Sequence, residues 1–363
     1  MVEPRALLET PPTWWYEQHR HLPKTVSFYL WHGLATSTRK TYSTGQCQFI
    51  QFTQLHSLYN SNGSILLASQ PASLSWVASL WGRVQPKTIK SYLTAVRSLH
   101  TDAGLPFDAI DSPLVQRLIH GFQCYHGEKE RRPVQPVTLP ILTALLAQLW
   151  PGVTPGHTII YAACCLAYSG LLHSGEFTTG KGGKFNPSLN LSRDCVPFLP
   201  DFTNATHVHV TLPASKTDPF RRGVTITVAA APGHPTCPVA TLKAMFTEIP
   251  QDHNAPLFKQ PDGKPLSYSY FVKGICEVLT LTGLNPDVFA GHSFCRGAAS
   301  EAAAAGYSDY GIQLLGRWRS DAYRLYVEND TNRILQLSFL LHLAHTQVTP
   351  FEPPALRGFT AWA

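Results

Sequence analysis

The 363-residue chain, with 44% hydrophobic and 14% charged residues, is long enough for about two domains that each build a core. A formal net charge of +6 suits an anionic partner such as nucleic acid. No charged-then-apolar leader opens the chain and no run approaches about 18 uninterrupted apolar residues, so a soluble intracellular protein without a membrane span is expected. The eight cysteines (Cys47, Cys124, Cys164, Cys165, Cys195, Cys237, Cys276 and Cys295) form no C-x-x-C pair, which reads as free thiols in a reducing compartment rather than a disulfide framework.

Residues 1–33 are rich in proline, histidine and aromatics, with Trp14, Trp15, Tyr16 and Trp31. They show no clear period and read as an extended arm that docks by its aromatics. From Ser37 the pattern turns helical, with Tyr42, Phe49, Phe52 and Leu55 on one stripe, and Ser61-Asn62-Gly63 closes that unit as a turn. A second helix covers Ala72 to Leu80. Pro86 opens a third as a first-turn proline, with Ile89, Leu93, Val96 and Leu99 as its buried stripe and Lys87, Lys90 and Arg97 elsewhere on it. Gly104-Leu105-Pro106 stops that helix, and Ser112-Pro113 opens a fourth through Leu114, Leu118 and Phe122. These residues make a compact all-α domain over 34–126. Taken by themselves, its outer charges read first as a solvated face.

Gly127 to Val137 is charged, contains two prolines and reads as a linker. Helices are expected at Pro140–Leu149 and Thr158–Tyr168, followed by the run LLHSGEFT from Leu171 to Thr178. Strands are expected at Leu189–Val196, Thr206–Leu212 and Val224–Val228 from alternation and β-branched content. His207 and His209 share one face of the second strand. No cysteine or carboxylate lies near them in sequence, so no metal site is expected. Lys216, Arg221 and Arg222 lie in the loop between the last two strands. Further helices start at Cys237-Pro238 and span Leu266–Leu281. The apolar run ILQLSFLLHLAH precedes a loose tail over 346–363.

The stretch from Gly291 to Val327 carries the chemistry. His292 and Arg296 sit four apart at the start of an alanine-rich helix and share a face. A second helix, the turn Leu315-Gly316-Arg317-Trp318, and the tyrosines Tyr323 and Tyr326 follow. Imidazole, guanidinium and indole donors can hold a phosphate oxygen, and a phenol can attack the phosphorus. The competing reading is an alanine-rich helical core with a surface tyrosine.

This stretch resembles the C-terminal half of the tyrosine recombinase (phage integrase) catalytic domain, in particular its eukaryotic mobile-element branch, the Crypton-like and DIRS-like recombinases. The pattern is His-x-x-Arg, then Leu-Gly-(His or Trp), then a nucleophilic tyrosine, and His292, Trp318 and Tyr326 match it. Upstream, Glu176 matches Gly-Leu-Arg-x-x-Glu, and Lys216 matches the lysine of a β-hairpin. The resemblance covers about residues 36–345. It implies a mainly α fold with a small antiparallel sheet. A helical (SAM-like) core-binding domain over 34–126 would join a catalytic domain over 138–345 through the 127–137 linker.

It also implies a reaction. Tyr326 attacks a scissile phosphate of double-stranded DNA to form a 3′-phosphotyrosine, and Lys216 protonates the departing 5′ oxygen. Two arginines, with His292 and Trp318, stabilise the transition state. Neither a metal nor a nucleotide cofactor is required, and protomers associate as dimers to tetramers on DNA. Lys87, Lys90, Arg97, Arg221, Arg222 and Arg296 are the expected DNA contacts. In a eukaryotic host the protein would be nuclear.

Both arginine positions depart from the pattern, to His173 and Cys295. One missing oxyanion donor costs roughly 10² to 10³ in rate. An arginine codon can give histidine or cysteine by one transition at a CG dinucleotide, the kind of decay expected of a silenced mobile element. The expectation is a degenerate recombinase, with a non-catalytic DNA-binding protein as the alternative.

Overall fold

The computed structural model describes residues 10–109, 111–126, 134–149, 154–180, 183–214, 223–318, 323–324 and 335. The chain divides into two compact units between residues 131 and 132.

The first unit contains α1 (Thr13–Gln18), α2 (Lys24–His32), α3 (Thr36–Leu55), α4 (Gln70–Ser79), α5 (Pro86–Asp102) and α6 (Pro113–His126). Prolines open α5 and α6, where a missing N–H leaves no intrahelical partner unmet. Ser69 caps α4 by accepting from the Ala72 N–H. The core gathers Phe49, Trp76, Val77, Ile89, Leu93, Val96, Val115 and Ile119. Gly45 lets α3 approach α5, since a Cβ there would lie 2.9 Å from the Tyr92 ring and 3.1 Å from Ala95 Cβ.

Three expectations for this unit are corrected. Residues 13–32 form two short helices rather than an extended arm. Trp15 is buried and donates from Nε1 to the Ser27 carbonyl at 2.7 Å, while His19 contacts the Trp15 and Asp102 carbonyls at 2.9 and 3.0 Å. Leu55 falls off the α3 stripe and is exposed, because the helix ends there. On α6 the inward positions are Val115 and Ile119, and Leu114 is exposed.

The second unit contains α7 (Leu139–Gln148), α8 (Pro155–Ser169), a single turn α9 (Ser174–Phe177), β1 (Phe198–Leu199), β2 (His207–Leu212), β3 (Val224–Ala229), α10 (Pro238–Glu248), α11 (Tyr268–Leu281), α12 (Ser293–Ala304) and α13 (Asp309–Gly316). Helix α8 is buried on almost every side, from Ile159 to Ala167, and forms the axis of the core. The strands run antiparallel in the order β1-β2-β3, with Leu212 opposite Val224 and His207 opposite Ala229.

The strand expected at Leu189–Val196 is absent; β1 begins at Phe198. The Arg193 and Asp194 N–H groups donate to the Ala255 and His253 carbonyls, so this backbone is held by another loop. The Arg193 side chain turns inward, bonds the Ile249 carbonyl at 2.6 Å and lies over the Phe246 ring. The end of the expected linker is likewise fixed. Gln135 and Val137 donate to the Val288 and Ser293 carbonyls at 2.7 and 2.8 Å, and Val137 is fully buried. Among the described residues no helix is long and apolar enough to cross a membrane, and no group of three or more metal-ligating side chains occurs.

Candidate active site

The site is built from three turns. Helix α8 ends at Gly170; Leu171 then adopts φ 47°, and the chain reverses so that His173 sits at the N-terminus of α9. Glu176, three residues on, reaches back and accepts from the His173 backbone N–H at 2.9 Å. This reciprocal geometry fixes residues 173 and 176 on one short turn.

The second turn opens α12. His292 is exposed at its N-cap, and Cys295, one turn later, is fully buried. Cys295 Sγ lies 3.5 Å from His173 Nδ1 and 3.3 Å from the His292 carbonyl. The His173 and His292 rings are 5.4 Å apart. Burial pushes the Cys295 thiol up to about 11, with Glu176 adding to the rise and Arg317 opposing it. The thiol is therefore neutral at physiological pH and supplies no charge to an anion.

The third turn follows α13. Arg317 takes a left-handed conformation, φ 57°, as the C-cap. Its guanidinium donates to the Gly170 carbonyl and to Glu176 Oε2, each at 3.0 Å. The Trp318 ring covers Gly316, where a Cβ would lie 2.2 Å from it. Trp318 also packs against the small cluster of Leu171, Cys295, Ala298, Ala299, Ala303, Ile312 and Tyr323. Tyr323 is buried and stacks on Trp318 with ring centroids 6.3 Å apart.

Five residues singled out from the sequence, His173, Glu176, His292, Cys295 and Trp318, thus gather around one place, although 122 positions separate His173 from Cys295. Lys216, Arg221, Arg222 and Tyr326 lie outside the described residues. Lys87 and Lys90 are exposed on α5, whereas Arg97 is ion-paired with Asp111. Arg296 points its Nη1 at the Val134 carbonyl at 2.5 Å and so holds the segment that enters this unit. Arg317 was not anticipated. A long cation directly after a helix, where glycine is usual, was the signal in the sequence.

No protein-family model matches the chain, and no curated protein does. Solved structures do. The XerH site-specific recombinase bound to palindromic difH substrate in a post-cleavage complex aligns with a TM-score of 0.58 at 12% identity, over 84% of this chain and 79% of that one. The Tn1549 transposon integrase in complex with a circular intermediate DNA aligns with a TM-score of 0.53 at 12% identity, over 90% of this chain and 98% of that one. The same integrase with transposon right end DNA aligns at 0.52 and 13% identity, again over 90% and 98%. The chain has the fold of a tyrosine recombinase.

Proposed function

We propose that the chain is a DNA strand-exchange protein of the tyrosine recombinase kind, derived from a eukaryotic mobile element and degenerate at its two clamp positions. The observation that carries this reading is the gathering of His173, Glu176, His292, Cys295 and Trp318 within a recombinase fold. In this reading residues 34–126 are the core-binding domain and 138–345 the catalytic domain. Double-stranded DNA is the substrate, protomers associate as dimers to tetramers on it, and the protein acts in the nucleus.

The Tyr326 hydroxyl attacks the scissile phosphorus and forms a 3′-phosphotyrosine bond as the bond to the 5′ oxygen breaks. Lys216 gives that oxygen its proton, and the reverse attack rejoins the strand. His292 and the Trp318 indole donate to the non-bridging oxygens. The weakness is the missing positive charge: Cys295 is a buried neutral thiol, and Arg317 is engaged with Glu176. The same observation favours the second reading, a DNA-binding protein that no longer cleaves. A suicide DNA substrate on a denaturing gel separates the two. A covalent protein–DNA band supports cleavage, and a retained mobility shift without that band supports binding alone. A chain that neither shifts nor links to DNA sinks both readings.

A further inference from the structure

We infer that Arg317 is a positioning residue of this site, an inference that rests on the recombinase reading. Residue 317 follows α13 with φ 57°, a conformation that helix ends ordinarily give to glycine. An arginine there adds a long cationic side chain that glycine would lack. That side chain joins two of the turns. Its Nη1 donates to the Gly170 carbonyl and its Nη2 to Glu176 Oε2, and the pair is mostly buried, with side-chain exposures of 17% for Arg317 and 12% for Glu176.

The same Glu176 oxygen accepts from the His173 N–H. A second left-handed residue, Leu171, lies beside the Gly170 carbonyl that Arg317 binds. Two strained backbone positions therefore face one ion pair, an arrangement that persists only where surrounding contacts hold it in place. On the other side of the latch, Trp318 is seated on Gly316 and Tyr323 on Trp318. The pair thus sets where the chain leading to Tyr326 departs, relative to His173 and Glu176. Guanidinium and carboxylate offset each other, so Arg317 acts through Glu176 and Trp318 rather than as a free phosphate clamp.

The discriminating variant is Arg317→Gly, which removes the guanidinium and gives the backbone its favoured residue. In the full chain, hydrogen exchange at the Trp318 amide, which donates to the Gln313 carbonyl, should quicken about 10-fold or more, with α5 amides unchanged. Glu176→Gln should do the same, and the double variant no more than either. If Arg317 merely caps the helix, exchange is unchanged or slower, and the latch is refuted.

The reactive role is read in the His173→Arg/Cys295→Arg chain on half-site DNA. Adding Arg317→Gly should slow covalent adduct formation about 10-fold or more at saturating DNA, with DNA affinity within about twofold, and Arg317→Lys should regain part of the rate. Equal adduct rates with and without Arg317 overturn the positioning role while leaving the recombinase reading intact. No adduct from the His173→Arg/Cys295→Arg chain itself sinks that reading and the reactive role together.

Discussion

Cys295 Sγ lies 3.5 Å from His173 Nδ1, so the two positions at which the recombinase resemblance expects arginine are neighbouring side chains in space. Their replacement removes positive charge from a single place rather than from two. If this is the only damage, His173→Arg with Cys295→Arg should restore cleavage, because each arginine returns a fixed positive charge where negative charge develops. The double change should raise adduct formation by about 10³ or more, and either change alone far less, since the clamp works as a unit. Tyr326→Phe in that background should abolish the adduct. Tyr323→Phe should leave it, because Tyr323 is buried against Trp318. If the unaltered chain cleaves as fast as the double variant, the idea of decay is wrong.

The DNA-binding part of the proposal is tested by salt. Lys87 and Lys90 are exposed on α5 and free of the ion pair that engages Arg97 with Asp111. Cations that neutralise phosphates release counterions, so affinity should drop by about 10-fold or more between 50 and 200 mM salt. Lys87→Ala and Lys90→Ala should each lower the slope of log affinity against log salt by about one. An affinity indifferent to salt would indicate a protein partner.

Much of the fold was legible because long helices carry their own period. The stripe of Ile89, Leu93 and Val96 is buried as the spacing requires, and first-turn prolines marked where α5, α6 and α10 begin. Helices α1 and α2 were not legible. At six and nine residues they are too short for a period to emerge, and tertiary bonds from Trp15 and His19 hold them. The false strand at 189–196 had alternation, but Arg193 puts its cation inward, which composition alone cannot reveal. In the site, motif spacing brought forward His173, Glu176, His292, Cys295 and Trp318. Arg317 escaped because its role comes from contacts with residues 141 and 147 positions away.

His100 makes the first unit sensitive to acid. Its ring is fully buried; Nδ1 contacts the Val96 carbonyl at 2.8 Å and Nε2 accepts from the Ala68 N–H at 3.2 Å. Burial lowers its proton affinity below the ordinary 6.5, with the Val96 bond opposing in part. Above that pH neither folded nor unfolded chain protonates His100, and it contributes no slope. As pH falls through 6.5 the unfolded chain takes up a proton that the folded chain refuses, so stability declines with falling pH. His100→Gln does not titrate and should melt with a flatter dependence between pH 7.5 and 5.5. Parallel melting curves for the two chains would remove His100 as the cause.

Gly297 ties the packing of the second unit to its site. It lies on α12, the helix that carries Cys295 and is preceded by His292. The backbone of Val137 passes so close that a Cβ on residue 297 would lie 1.8 Å from the Val137 oxygen and 2.5 Å from its carbonyl carbon. Val137 cannot simply retreat, since its N–H donates to the Ser293 carbonyl and Arg296 grips the Val134 carbonyl. Gly297→Ala therefore forces the entering segment off α12, at a cost of about 3 kcal/mol by the usual scale for overpacking. Gly121→Ala is the control. It lies inside α6 with nothing within 4 Å of its added methyl, so it should stabilise by about 0.5–1 kcal/mol through helix propensity alone. Urea unfolding followed by hydrogen exchange reads both, and the Gly297→Ala loss should fall on amides of α12 and leave those of α5 unaltered. Because α12 holds Cys295 against His173, the same variant should also expose the Cys295 thiol to a maleimide that the parent excludes. A Gly297→Ala chain as stable as the parent, with Cys295 still shielded, would mean that the segment at Val137 does not lie on the helix at this separation.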